Sequence, residues 1–237
     1  MDAPVAIVTG GGKRVGEAIA RALGARGMRV AVHYNTSREE AERVAAEIGN
    51  GSMAFGADLG DPDAPRRLVA DVVREFDRID VLVNSASNFI RTPLSEVTVE
   101  TWNRIFDVNL RAPFFLALEA SKQMKDGGCI VNMSDLAGFE TWPGFVPHGI
   151  SKAGVTQMTR ALAHQLAPRI RVNAIAPGVV LLPEDTTPES AAHLASTTPL
   201  RRHGTPADVA KAVLYLLDAE FVTGDVLFVD GGRHVRY

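Results

Sequence analysis

Cysteine is almost absent from this chain of 237 residues. Cys129 stands alone, which excludes an internal disulfide and a multi-thiolate metal site and suits a reducing compartment. No apolar run approaches the roughly 18 residues that a bilayer-crossing helix needs. The stretch from Met1 to Thr9 has neither a basic n-region nor a long apolar h-region, so no signal peptide is expected. A charge excess is missing too: 25 Lys and Arg against 28 Asp and Glu give a net charge of −3, no electrostatic footprint for nucleic acid. No His, Cys, Asp or Glu cluster has metal-ligand spacing, so no metal is expected. These absences leave a soluble cytoplasmic protein as the expectation, with neither membrane nor nucleic acid among its partners.

What is present is the composition of a globular protein, 46 % hydrophobic and 22 % charged. Short apolar runs alternate with helical patterns along the whole chain. Strands are predicted at 5–9, 29–34, 52–57, 79–84, 129–133, 170–175 and 225–229. Helices are predicted from Val15 on, after Ser37, and at 62–76, 98–107, 112–124, 152–165 and 206–217. The first helix carries Val15, Ile19 and Leu23 four residues apart, with Gly27 at its end. Ser37 with Glu40 three residues on has the pattern of a capping box. Strands apolar on both faces and separated by helices imply right-handed crossovers. The expected architecture is α/β: one domain over 1–237, a doubly wound Rossmann fold on a mainly seven-stranded parallel sheet. The stretch 177–199, rich in Pro, Thr, Ser and Glu, reads as an irregular substrate loop or lid.

Gly10, Gly11 and Gly12 separate the first strand from the first helix. In that setting glycines let a dinucleotide pyrophosphate approach backbone N–H groups at a helix N-terminus, although a tight structural turn would look the same. An NAD site usually presents an acid after the second strand. Here that region reads His33, Tyr34, Asn35, Thr36, Ser37, and Lys13 and Arg14 lie in the turn itself. Basic and hydroxyl groups suit the 2′-phosphate of NADPH. Lys13 could equally be a solvated loop lysine.

Thr9-Gly-Gly-Gly-Lys-Arg-Val-Gly16, Ala57-Asp58-Leu59, Asn84-Ser-Ala86, Val108-Asn109, Ile130-Val-Asn-Met-Ser134, Ser151-Lys-Ala-Gly154, Arg171 to Gly178 and Val229 to Gly232 follow in order. In that order and spacing the chain resembles the short-chain dehydrogenase/reductase family over nearly its whole length. Arg14 replaces the middle glycine of the usual turn, which is similar to the pteridine reductase branch. His33-Tyr34 and the segment ending in Phe89 resemble the same branch, and the ending Asp230 to Arg236 is similar to that of bacterial dihydromonapterin reductases. The resemblance implies that NADPH is held by Gly10, Lys13, Arg14, Val15, Gly16, His33 to Ser37, Asp58 at the adenine, Leu59, Asn84, Ser85, Ala86, Met133, Pro177, Gly178 and, at the nicotinamide ribose, Lys152. It implies a pterin-like substrate near Ser87, Phe89, Asp135, His148, Val179 and Leu182. It also implies a homo-oligomer, tetramer or dimer, built on the long helices after the fourth and fifth strands.

One residue departs from the family. Its catalytic tyrosine belongs four residues before Lys152, and His148 stands there; Tyr34, Tyr215 and Tyr237 have no lysine four residues on. Thirteen residues before His148 comes Asp135, as in pteridine reductases. A free imidazole titrates near about 6.5 and can in principle donate a proton. Asp135, His148, Lys152 and Asn109 are therefore the candidate catalytic residues, with His148 either replacing the acid or only shaping the pocket. Asp135 could instead cap a loop. Phe89 and Trp142 could stack on a flat substrate or simply pack. His164 reads as a surface residue, and the stretch 39–47 as a solvated face. The reading is NADPH-dependent reduction of a dihydropterin. The alternatives are a general carbonyl or 3-oxoacyl reductase, and an impaired NADPH-binding pseudo-enzyme serving as a partner or sensor.

Overall fold

The computed structural model describes residues 3–182 and 186–235. Seven strands lie in one sheet: β1 (Val5–Val8), β2 (Arg29–Tyr34), β3 (Met53–Gly56), β4 (Ile79–Asn84), β5 (Met124–Met133), β6 (Ile170–Pro177) and β7 (Val226–Val229). Their order is β3-β2-β1-β4-β5-β6-β7 and every pairing is parallel. The order reverses between β1 and β4. In such sheets that reversal opens the crevice in which ligands bind, beyond the strand C-termini.

Alternation along the strands decides which helix covers which face. Val5 and Ile7 of β1 point into one apolar cluster with Leu68, Leu116, Val155 and Leu162. Ala6 and Val8 point into the other with Ile19, Leu23, Val44 and Val213. The first layer is therefore α3 (Ala64–Phe76), α5 (Ala112–Gln123) and α6 (Val146–Leu166); the second is α1 (Arg14–Ala25), α2 (Arg38–Ile48) and α8 (Pro206–Asp218). Each fully buried Leu or Ile contributes roughly 1.5–3 kcal/mol of transfer free energy. No described helix is long and apolar enough to cross a membrane.

Several sequence expectations need correction. Ser37 makes no side-chain cap, and Glu40 is drawn instead to the Lys13 ammonium at 2.7 Å. A closed capping box does form at α8, between Thr205 and Asp208. The fifth strand begins at Met124, five residues early, because Gly127 and Gly128 continue the strand rather than break it. Within 177–199 a helix, α7 (Pro188–Ser196), starts at a Thr187 cap; none of its residues is buried, so no apolar stripe announced it. Positions 183–185 of that stretch lie outside the described residues. Helix α6 begins six residues before the predicted start and so takes in His148. The sequence hid this start behind Pro147 and Gly149.

His33 anchors the first turn from below. It is 2 % exposed. Its Nδ1 accepts the Gly10 N–H at 3.1 Å, its Nε2 faces the Ala57 carbonyl at 3.0 Å, and its own carbonyl accepts the Gly11 N–H at 2.9 Å. Burial pushes its imidazole down from 6.5 to about 4, partly offset by the hydrogen bond to Ala57. The native state then binds fewer protons than the unfolded chain between those values. Stability conferred above about pH 6.5 should be lost on acidification toward 4, by about 3 kcal/mol in all. Urea unfolding of wild type and His33→Asn across that window checks it: the variant's acid slope should be flatter by that amount, whatever its stability at neutral pH.

Candidate active site

The glycine turn is shaped by close approach. Gly10 adopts φ +65°, and a Cβ there would lie 3.2 Å from the Ala86 Cα at the end of β4. At Gly16 a Cβ would lie 2.1 Å from the Gly10 carbonyl oxygen, so the turn folds tightly onto the start of α1. Thr9 ties the two strand ends together, its hydroxyl accepting the N–H groups of Ser85 and Ala86 at 2.9 and 3.0 Å. Nothing in the sequence around Thr9 announces this role. Lys13, the N-cap of α1, supplies no side-chain acceptor, which leaves the first amides of α1 for an external anion. The chain's own geometry thus fits a nicotinamide dinucleotide.

The predicted cofactor residues divide in two. Lys13 and Arg14 are exposed at the head of α1, with Val15 half-buried behind them. Tyr34 and Ser37 are half-buried and Asn35 and Thr36 exposed at the end of β2. Asp58 is exposed, its carboxylate accepting the Gly60 N–H at 2.9 Å. Ser85 and Ala86 follow β4, and Gly178 follows β6, where a Cβ would lie 2.8 Å from the Asp230 Cα. Pro177 is half-buried, as are Val179 and Leu182 in the following loop. Four side chains turn inward instead. His33 braces the turn, and Leu59 packs in the core. Asn84 donates to the Asn132 side chain at 2.9 Å, and Met133 is buried with its carbonyl holding Lys152. From these four positions only backbone could meet a ligand.

The catalytic candidates do converge. A Cβ on Gly138 would sit 3.0 Å from the Ala153 nitrogen, and one on Gly149 would sit 2.7 Å from the Ala137 carbonyl oxygen. These glycines let α6 lie directly against the short turn Leu136–Gly138. Asp135 caps that turn, Oδ1 accepting the Ala137 N–H at 2.9 Å, as its plainer sequence reading allowed. Its Oδ2 lies 3.5 Å from His148 Nε2. On the far side of the ring, Nδ1 is 3.2 Å from the Asn88 carbonyl oxygen. Asn109 comes from a single π turn, Asp107–Arg111, between α4 (Val99–Phe106) and α5. Its Nδ2 donates to the Asn88 carbonyl at 3.0 Å and to the Ser151 hydroxyl at 3.2 Å. Its Oδ1 accepts from the Asn88 N–H at 2.7 Å and the Ser87 hydroxyl at 3.1 Å.

Lys152 lies inside the same cluster, 3 % exposed, and its Nζ donates to the Met133 carbonyl at 2.9 Å. Burial lowers its pKa from 10.5 to about 8, and the Asp135 carboxylate raises it part of the way back. Phe89 stacks on Phe145 with centroids 4.5 Å apart and meets the His148 ring edge-on at 4.9 Å. Trp142 closes this wall edge-on at 6.5 Å from both phenyl rings. Phe145 and Asn88 were missed at the sequence level. An aromatic one turn before His148 was the available signal for the first. A backbone carbonyl leaves none for the second.

The family described as enoyl-(acyl carrier protein) reductase matches residues 12–234. A putative ketoacyl reductase of the granaticin polyketide synthase from Streptomyces violaceoruber is 38 % identical over 243 residues, covering 99 % of this chain and 97 % of that protein. A short-chain dehydrogenase/reductase, a glucose/ribitol dehydrogenase from Brucella melitensis, superposes with a TM-score of 0.93 at 30 % identity, over 98 % of this chain and 97 % of the other. A blue fluorescent protein from a metagenomic library, crystallised with NADPH, gives 0.91 at 36 % identity over 97 % of each chain. Relatives of this chain carry the names of ketoacyl reductases, 3-oxoacyl reductases and dehydrogenases. With its seven-stranded parallel sheet, its glycine turn and its Lys152 cluster, the chain is an oxidoreductase of the short-chain dehydrogenase/reductase family, which works with a nicotinamide cofactor.

Proposed function

We propose that this protein is an NADPH-dependent reductase of a ketone carried on a small, flat ring system. The carrying observation is the wall of Phe89, Phe145 and Trp142 standing beside the Asp135–His148 pair. Phe89 is 56 % exposed, so its ring face is available to stack on a planar substrate. The similarity to a polyketide ketoacyl reductase supports a ketone over a pterin. The dihydropterin reading keeps one support, the part-exposed Asp135 carboxyl, which suits a ring N–H as well as a carbonyl oxygen. For the cofactor, Arg14 is exposed with no ion-pair partner among the described residues, whereas Lys13 is engaged by Glu40. Arg14 therefore carries most of the preference for a 2′-phosphate. Assembly as a homodimer or homotetramer is supported by Phe114 and Phe115 on α5 and Ile150 on α6, each about 40 % exposed or more.

A bound nicotinamide supplies hydride. Around it Asn109 and Asp135 fix polar groups, the aromatic wall orients the ring, and Lys152 contributes a buried positive charge that stabilises negative charge growing on the substrate oxygen. NADPH oxidation should be seen with bicyclic aromatic ketones and be slower with dihydropterins. The reverse order would restore the pterin reading, and bound NADPH without turnover of either would make the protein a pseudo-enzyme. Turnover should fall as pH rises through about 8, where the Lys152 ammonium is lost. Lys152→Arg, which stays charged, should abolish that alkaline fall even if its rate is lower.

Arg14 sits in the left-handed region at φ 55°, which costs about 1–2 kcal/mol for a residue with a Cβ. Arg14→Gly should therefore raise unfolding free energy by about 1 kcal/mol while lowering NADPH affinity roughly tenfold relative to NADH. Thermal melts of the cofactor-free protein and fluorescence titrations with both cofactors read the two effects separately.

A further inference from the structure

His148 occupies the expected place for a proton donor, yet its geometry is that of a residue held in reserve. It is 1 % exposed, and its Nε2 is buried with no hydrogen-bond partner among the described residues. Asp135 Oδ2 lies 3.5 Å from that nitrogen, on a side chain that is 25 % exposed. The other ring nitrogen is fixed. Nδ1 faces a carbonyl oxygen, that of Asn88, which can only accept, so Nδ1 carries a proton. Asn109 Nδ2, 3.4 Å from Nδ1, is itself a donor and is used by the Asn88 carbonyl and Ser151. With Nδ1 protonated, neutral His148 presents a bare lone pair to a carboxyl group, an arrangement satisfied only when a proton lies between them.

The charged groups facing this ring are Asp135, from the segment after β5, and Lys152, one turn further along α6 and turned to the Met133 carbonyl. The other contacts to the ring, from Asn88, Asn109 and Phe89, bring no charge.

We infer that Asp135 and His148 share one proton, that Asp135 is the catalytic member that hands it to the substrate, and that His148 is a positioning residue behind it. The inference rests on the reductase reading. Hydride adds to the carbonyl carbon, and the carbon–oxygen π pair becomes a lone pair on oxygen. That oxygen takes the proton from the Asp135 carboxyl, giving the alcohol. The pair is left as carboxylate and neutral Nδ1–H imidazole. A proton from solvent then reloads it through the exposed edge of Asp135, since His148 has no exposed path of its own.

The test combines three readouts. Asp135→Asn should lose roughly 100-fold in kcat on a bicyclic ketone, with NADPH binding, followed by nicotinamide fluorescence, unchanged. In Asp135→Ala, added formate or acetate should restore part of the rate, which a merely structural carboxylate would not permit. His148→Gln should lower kcat while leaving KM for the ketone and NADPH binding within a few-fold. Nitrogen-15 spectra of the cofactor-free protein should place the proton of neutral His148 on Nδ1. An Asp135→Asn variant with wild-type kcat, an inactive Asp135→Ala that binds NADPH but gains nothing from either acid, or a neutral His148 carrying its proton on Nε2 overturns the inference. Wild-type protein that binds NADPH but reduces no ketone overturns the reductase reading instead, and the ring spectra still decide whether the pair shares its proton.

Discussion

The site depends on one close approach: α6 lies against the turn after β5 at a distance that admits no methyl group. Gly138 from the turn and Gly149 from the helix face this contact from opposite sides. Replace either with alanine and the backbones must part by several tenths of an ångström or more. The Asp135–His148 separation would then open, because one residue is fixed to the turn and the other to the helix. Gly149 is a poor helix residue by propensity, with a penalty of about 1 kcal/mol against alanine. Its presence in the first turn of α6 reflects the contact and not the helix.

A second constraint holds the cofactor end. The turn after β1 is fastened from the β4 side by the Thr9 hydroxyl and from the β2 side by His33. Both fastenings are buried polar contacts with their partners satisfied, so they fix the turn's conformation as well as stabilise it. The consequence for electrostatics is that His33, which a sequence reading places next to the 2′-phosphate, supplies no positive charge there. It is neutral at physiological pH because burial disfavours its charged form. In the proposed reading, discrimination between the cofactors is left to exposed groups such as Arg14 at the head of α1 and Asn35 and Thr36 at the end of β2.

The sheet and its two covering layers were legible because parallel strands covered on both faces must be apolar throughout, and Val5–Val8 or Ile79–Asn84 can hardly be read otherwise. The convergence of Asp135, His148, Lys152 and Asn109 was legible by position. What was not legible was direction. Leu59, Asn84 and Met133 stand at strand ends next to the site, and alternation or a cross-strand partner turns each side chain inward. The start of α6 was hidden because proline and glycine usually end a helix. Here Pro147 sits in the first turn, where its missing N–H is not needed, and Gly149 meets a tertiary demand. Helix α7 escaped notice for the opposite reason: it buries nothing, so its sequence has no face to show.

In the proposed mechanism, a histidine where the family resemblance places a tyrosine changes what the neighbours must supply. A phenol is a weak acid that needs a nearby cation to ionise readily, whereas an imidazolium is already acidic and is stabilised by an anion. An anion stands beside His148, and the cation of the same helix is turned elsewhere. Asp135 places a carboxylate at 3.5 Å from Nε2, and the Lys152 ammonium is drawn away to the Met133 carbonyl. In the proposed mechanism Lys152 is thereby left to act as a positive charge toward the substrate oxygen rather than on its helix neighbour. The polar pairing that a Tyr–Lys site concentrates in one contact is divided here between an acid with its base and a separate cation.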